Sequence, residues 1–435
     1  MASSASHSHA QPPSTNLTVG DTVELEVVRI AHGGVSVAHH EGRVVFVADT
    51  LPGERVRAEV QEVKKKFARA ITTEVLSPSP DRVDHVWAEA ALDRAPAIRV
   101  GGAEFGHIRL DTQRDLKRAV LFDAMQRQGK YDGPVLDDLE VEALDGDDER
   151  NGLGWRTRVR LHVDPETGVV GPYAARSHTV IPVESLPLMS GALDTIAPLG
   201  ETLPEAVTVD LVAPSADDPR MLVTQRGERR PLGADDIVHE QVGDFVFQVR
   251  AGGFWQVHDQ AAATLAENVA ASVEWLGEGV DPGATNLDLY GGVGLLAAGF
   301  LAAAGDSARI TTVESAESAT DLAAENLAEF HGAQALTARV EHYLRDLRKG
   351  SAASRERLSR GTVVLDPPRS GAGLQVIADL VELRPRNVIY VACDPVALAR
   401  DTAALTAGGY ELTALRGFDL FPHTHHLESI AVFQR

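Results

Sequence analysis

The sequence predicts a mostly parallel α/β sheet domain in its C-terminal part, preceded by a small β-barrel and an irregular α+β domain. Three observations predict this. From about residue 283, the stretches TNLDLYGG, ARITTVES, GTVVLDPP and NVIYVACDP are short apolar runs that end in polar, Gly or Pro residues, with helical patterns between them. Residues 17–76 hold five short strand-like runs at roughly ten-residue spacing. The length, 435 residues, exceeds what one ordinary domain uses. The expected divisions are a disordered tail over 1–15, the barrel over 16–78, the middle domain over 79–240 and the α/β domain over 241–435.

In the barrel, LTVGDTVELEVVRI alternates. Asp21, Glu24 and Glu26 are too frequent for a strand buried on both faces, so one face is wet. HGGVSVA, GRVVFV, ERVRAEVQEV and ARAITTEVL follow, punctuated by Gly33-Gly34, Gly42 and Pro52-Gly53. Lys64, Lys65, Lys66 and Arg69 form a basic run around Phe67, which reads either as a solvated hairpin end or as a nucleic-acid contact. Pro78 and Pro80 mark a linker. Residues 111–129 are helical and close on Gly129. TRVRLHV, VTVDLVA and DFVFQVR are strands of the middle domain.

The chain has 41 basic and 63 acidic residues, a formal charge of −22. Taken as a whole that surface opposes nucleic-acid binding, which depends on phosphate neutralisation, although a local basic patch remains compatible with it. The one cysteine excludes an internal disulfide and any cysteine-ligated zinc or iron–sulfur centre. No run approaches the ~20 apolar residues of a membrane span. The N-terminus has neither a basic n-region nor an apolar h-region, so cytoplasmic residence and no membrane partner are expected.

In an α/β sheet of this kind, ligands lie beyond the carboxyl ends of the strands. The unusual residues of the C-terminal half fall there. Asp288, Tyr290, Gly292 and Gly294 form a glycine-rich turn between a strand and a helix, with Glu314 at the next strand end. Residues 292–297 also fit the G-x-G-x-x-A dinucleotide pattern, which keeps a nicotinamide-dependent oxidoreductase open. A carboxylate at Asp288 suits a ligand carrying an ammonium and a sulfonium better than a pyrophosphate. Asp366 ends another strand before Pro367-Pro368, and Arg369 stands where amine-methylating enzymes carry an aromatic residue. Cys393 ends the strand VIYVA ahead of Pro395, a natural first helical residue, so a thiolate-favouring helix N-terminus is expected. His423, His425, His426 and Glu428 lie near the C-terminus. Adjacent His425 and His426 should point apart, so no metal site is expected, and Glu428 reads as a base or as an ion-pair partner.

Together these residues resemble the RNA uracil-5 methyltransferase family, over about residues 17–435. HGGVSVA, GRVVFV and LPGERV resemble its N-terminal TRAM domain, an OB-like RNA-binding barrel. Gly253-Phe254-Trp255-Gln256-Val257 resembles a segment whose glutamine lies in the cofactor and substrate site. ACDPVALARD resembles the nucleophile motif, and FPHTHHLE the motif that ends in the base. The resemblance implies a Rossmann-like methyltransferase domain using S-adenosylmethionine. It implies Gln256, Asp288, Tyr290, Gly292, Gly294, Glu314 and Asp366 at the cofactor, Cys393 as nucleophile and Glu428 as base. It also implies RNA (tRNA or 23S rRNA) as substrate, gripped through Lys64, Lys65, Lys66 and Arg69, by a monomeric enzyme. The chain departs from the family at Asp394, Leu295 and His258, where asparagine is usual. An inactive RNA-binding homologue is therefore a further alternative. Many relatives bind an iron–sulfur cluster through four cysteines. Arg94, Val100, Ala103 and Leu186 stand in their places here, so no cluster is expected.

Overall fold

The computed structural model describes residues 17–305 and 307–435. The expected tail over 1–15 lies outside the described residues. The chain forms two compact units, the smaller ending at Arg82 and the larger reaching Arg435.

In the smaller unit, β1 (Thr22–Ala31), β2 (Val35–His40), β3 (Arg43–Ala48), β4 (Arg55–Val63) and β5 (Phe67–Ser77) close into a barrel in the order β1-β2-β3-β5-β4. Strand alternation explains the composition: Val23, Leu25 and Val27 enter the core while Glu24 and Glu26 face water. The expected linker is tied to the barrel. The buried Glu54 carboxylate accepts hydrogen bonds from the Ser79 amide (3.2 Å) and from Arg82 (2.6 and 2.8 Å). Lys64, Lys65 and Lys66 are exposed at the β4–β5 turn. Arg69 lies over the rings of Phe46 and Phe67, at 5.7 and 5.6 Å.

The larger unit begins with α1 (Leu110–Arg127), β6 (Val141–Glu142), β7 (Arg158–Val163), β8 (Val170–Gly171), α2 (Gly191–Asp194), β9 (Ala206–Val212) and β10 (Arg220–Gln225). Strands β7 to β10 form an antiparallel sheet, β10-β9-β7-β8. Next come the hairpin β11 (Ile237–Val242) and β12 (Phe245–Arg250), then α3 (Ala261–Leu276). The α/β region continues as β13 (Asn286–Leu289), α4 (Leu295–Ala304), β14 (Ile310–Glu314), α5 (Glu317–Asn326), β15 (Ala333–Thr337), α6 (Val340–Arg348), α7 (Ala352–Ser359) and β16 (Thr362–Leu365). It ends with α8 (Gly373–Leu383), β17 (Asn387–Ala392), α9 (Pro395–Ala407), β18 (Glu411–Phe418) and β19 (Glu428–Gln434).

Eight strands make the main sheet, β15-β14-β13-β16-β17-β19-β18-β6. The strands from β15 to β17 are parallel, and β19 runs antiparallel between β17 and β18. Helices cover the sheet, so every residue of β13, β16 and β17 is buried. Each buried Val, Leu or Ile there contributes roughly 1.5–3 kcal/mol. The order departs in both directions from β13, which makes its carboxyl end the switch point where such sheets bind ligands.

Two expected boundaries shift. Residues expected in the middle domain belong to the α/β core: Leu121, Met125, Leu136 and Val141 share a core with Leu287 and Val363, and β6 pairs with β18. The division at 240/241 cuts through β11, whose hairpin packs on the same core as α3 and α4. Strand β12 lies against α5, and chain order hides that contact.

Candidate active site

The ends of five sheet strands meet on one side of the larger unit. Tyr290 follows β13, Glu314 ends β14, Asp366 follows β16, Cys393 follows β17, and Glu428 opens the antiparallel β19. Ala392 pairs with Ser429 across β17 and β19. Cys393 follows Ala392 and Glu428 precedes Ser429, so both stand at this end of the two strands, where the Glu428 carboxyl acts on the Cys393 thiol. Asp366 donates its amide to the Leu289 carbonyl at 3.2 Å, beside Tyr290.

The glycine turn is shaped by close packing. A Cβ on Gly291 would lie 1.9 Å from Thr312 Oγ1 and 2.4 Å from an Asp288 carboxylate oxygen. A Cβ on Gly292 would meet nothing within 4 Å, so that side of the turn is open. Tyr290 is held at φ +64°, an unusual conformation for a bulky residue. Its amide and that of Gly291 donate to the Val313 carbonyl at 3.0 and 3.2 Å. Asp288 corrects the sequence expectation. It has no accessible surface and accepts a 2.8 Å hydrogen bond from Thr312, so it supports the turn from beneath. Glu314 Oε1 accepts from the Ser315 and Ala316 amides at 2.6 and 2.9 Å, fixing the turn after β14. Gln256 is partly exposed in the segment between β12 and α3, behind the strongly exposed Phe254.

The acids repel one another. Burial pushes Asp288 up to about 7, against the Thr312 hydrogen bond and with help from Glu314. Burial and then Asp288 push Asp366 up to about 7. Burial and Asp366 hold Glu428 well above the carboxylate range, opposed by Arg369. Glu428 Oε1 is buried without a hydrogen-bond partner. Cys393 differs from the thiolate expected of a helix N-terminus. Burial pushes its thiol up to about 12, and Glu428 and Asp366 add to the shift. The helix amides that would favour a thiolate are already occupied. Asp394 caps α9 and accepts from Val396 and Ala397 at 3.0 and 2.8 Å.

The loop bearing Glu428 is anchored by residues the sequence reading did not identify. Lys117, fully buried on α1, pairs with Asp419 and donates to the Phe421 carbonyl at 3.0 Å. Gln113 accepts from the His423 amide (2.7 Å) and bonds its Nδ1 (3.0 Å), while His423 Nε2 meets the Asn151 carbonyl at 2.8 Å. The helical pattern of α1 was legible, but a lysine aimed into a core leaves no periodic signal. His425 and His426 do not point apart: their rings lie 4.0 Å from centre to centre, because the chain turns there instead of extending. Burial lowers His426 to about 3, so it is a neutral imidazole. Among the described residues no group of three or more His, Cys, Asp or Glu is arranged to hold a metal. No helix among them is long and apolar enough to cross a membrane.

A TRAM-domain family model matches residues 16–73, and the model described as tRNA (Uracil-5-)-methyltransferase matches residues 255–435. An uncharacterised RNA methyltransferase of Streptomyces coelicolor is 35% identical over 465 residues, covering 98% of this chain and 95% of that protein. The 23S rRNA (uracil(1939)-C(5))-methyltransferase RlmD of Shewanella sp. (strain ANA-3) is 30% identical, covering 97% of this chain and 98% of that protein. Among solved structures, the tRNA (uracil-54, C5)-methyltransferase of Pyrococcus abyssi in complex with S-adenosyl-L-homocysteine shares the fold. Its TM-score is 0.64 at 19% identity, over 94% of this chain and 99% of that one.

Proposed function

The chain belongs to the RNA uracil-5 methyltransferase family, TRAM domain included, and from that premise we propose that it methylates C5 of a uridine through a Cys393–C6 adduct, with Glu428 removing the C5 proton. The observation that carries the reading is that Cys393 and Glu428 stand at the same end of the paired strands β17 and β19, where Glu428 and Asp366 both raise the Cys393 thiol. Membership removes the nicotinamide reading of residues 292–297.

S-adenosylmethionine supplies the methyl group when bound. The turn at Tyr290, Gly292 and Gly294 fits it: one side is open, and the acids around it would repel a pyrophosphate and attract a cation. Tyr290, Glu314, Gln256 and Asp366 would hold it, with Asp288 bracing the turn. Cys393 gives its proton to water and its sulfur bonds to C6 of the uracil, and conjugation with the C4 carbonyl makes C5 nucleophilic. After C5 has gained its methyl group, Glu428 takes the remaining C5 hydrogen as a proton, the C5=C6 bond re-forms and Cys393 leaves as a thiolate that regains a proton from water. The uracil must be unstacked to reach Cys393, which is cheapest in single-stranded RNA.

No iron–sulfur cluster is needed in this reading. Val100, Ala103 and Leu186 pack into one apolar core with Trp87 and Trp155, a donor set that does not fit iron. The full-length similarity to a 23S rRNA enzyme makes 23S rRNA the first substrate to test, ahead of tRNA. Each RNA is incubated with methyl-labelled S-adenosylmethionine and digested to nucleosides. Label in 5-methyluridine is expected, and none from either RNA would sink the proposal, leaving an inactive RNA-binding homologue.

The acid cluster sets a pH dependence. A cation favours ionised carboxyls, and Asp288 and Asp366 ionise only as pH rises through about 7. Cofactor binding should therefore be weaker at pH 6 than at pH 8, with protons released on binding. Calorimetry in two buffers of different ionisation enthalpy checks both, and a flat profile contradicts the assignment.

The Lys64, Lys65 and Lys66 turn is assigned to RNA backbone contact. Replacing all three by alanine should weaken RNA binding uniformly and lower the slope of log affinity against log salt by about 2. An unchanged slope in filter binding would move the contact elsewhere.

A further inference from the structure

Asp401 lies on α9, two turns beyond Cys393, and has no accessible surface. It gathers donors from two different strand ends. Tyr390, on β17, donates its hydroxyl to Asp401 at 2.7 Å. The Ala372 amide, in the loop that follows Asp366, donates to Asp401 and to the Tyr390 hydroxyl, each at 3.0 Å. Arg400 donates to Asp401 at 2.9 Å and reaches the Ser370 carbonyl at 2.9 Å. The loop is fitted closely to this group. Gly371 has φ +75°, and a Cβ on it would come within 2.6 Å of Arg400 and 2.7 Å of Asp401. A narrow cleft lies between the two elements so joined, with Pro367 and Pro368 on the loop side and Cys393 and Ala397 on the other, and Tyr390 is also in its wall.

We infer that Asp401, with Tyr390 and Arg400, is a positioning device that sets how far the Asp366 loop stands from Cys393, and so the place in which the uracil meets the sulfur. The inference rests on the Cys393 reading above. Asp401 touches no reacting atom. It acts by satisfying a hydroxyl, a backbone amide and a guanidinium at once, so that neither the loop nor α9 can shift without leaving a buried polar group unpaired. A misplacement of about 1 Å at a reacting centre is enough to slow chemistry roughly a hundredfold.

The test uses the full chain with wild type, Tyr390→Phe and Asp401→Asn, in single-turnover assays that trap the protein–RNA adduct across pH 6–9. Both variants should form adduct at least tenfold more slowly. Their RNA affinity should stay within about twofold of wild type, and their pH profiles should be displaced, because Asp366, one of the carboxyls acting on Cys393, moves with the loop. The double variant should be little worse than either single one, since both remove one device. If wild type forms no adduct, the Cys393 reading fails. If wild type forms it and folded Tyr390→Phe matches its rate and profile, the positioning role fails. A slowing that only follows a lower melting temperature, with an unmoved pH profile, also overturns it. Should Asp401→Asn fail to fold, Tyr390→Phe, which loses a single hydroxyl, decides the matter.

Discussion

Cys393→Ala removes both the protein–RNA adduct and methylation, by roughly four orders of magnitude or more in single-turnover rate, equivalent to about 5.5 kcal/mol of barrier. No other thiol can take over, because the chain has one cysteine. The fold tolerates the change. The side chain is only partly buried at the end of β17, and its loss deletes one small atom at a cost of roughly 1 kcal/mol. Melting temperature should therefore hold while chemistry disappears. The structure adds a condition. With the thiol pushed up to about 12, almost none is ionised at pH 7 in the free protein. Slow alkylation of free Cys393 is thus compatible with its being the nucleophile. The informative measurements are a denaturing-gel adduct assay and nucleoside analysis. A Cys393→Ala protein that still makes 5-methyluridine would refute covalent catalysis.

The strand ends were the legible part of this molecule. Each is written as an apolar run that stops at a residue unsuited to a strand, and β13, β14, β16 and β17 appear where TNLDLYGG, ARITTVES, GTVVLDPP and NVIYVACDP placed them. Edge strand β15 was invisible, because AQALT is short and only partly buried and so has no alternation to read. The meeting of Cys393 and Glu428 at one end of β17 and β19 was also hidden. It depends on β19 inserting antiparallel between β17 and β18, a long-range choice that no local pattern encodes. Electrostatics was the least legible. The motif around Cys393 reads as a helix N-terminus that favours a thiolate, and the geometry at that terminus is as expected. The carboxylate of Asp394 has nonetheless taken the amides, and two further acids arrive from β16 and β19. A charge that comes through tertiary packing reverses the sign of a local rule. The same holds for Asp288, which was expected in the turn and instead lies within β13, fully buried beneath it.

Glu428→Gln separates bond formation from release. The amide has nearly the size of the acid and can occupy the same buried position, but it cannot take a proton. Cys393 still adds to C6 and C5 still gains its methyl group, while the C5 hydrogen stays and the thiol has no route out. The expected result is a protein–RNA adduct that accumulates to near stoichiometry, with turnover slowed by roughly 10²–10⁴-fold. The raised pKa of Glu428 gives this a second signature. A buried base that holds its proton well above the usual carboxylate range works in a larger fraction of molecules as pH rises, so wild-type release should speed up as pH is raised. In Glu428→Gln that dependence should vanish, because the titrating group is gone. A variant that releases product at the wild-type rate, or keeps the same pH slope, would assign the proton to a different residue. Asp366, which already shifts both Glu428 and Cys393, would be the next to replace.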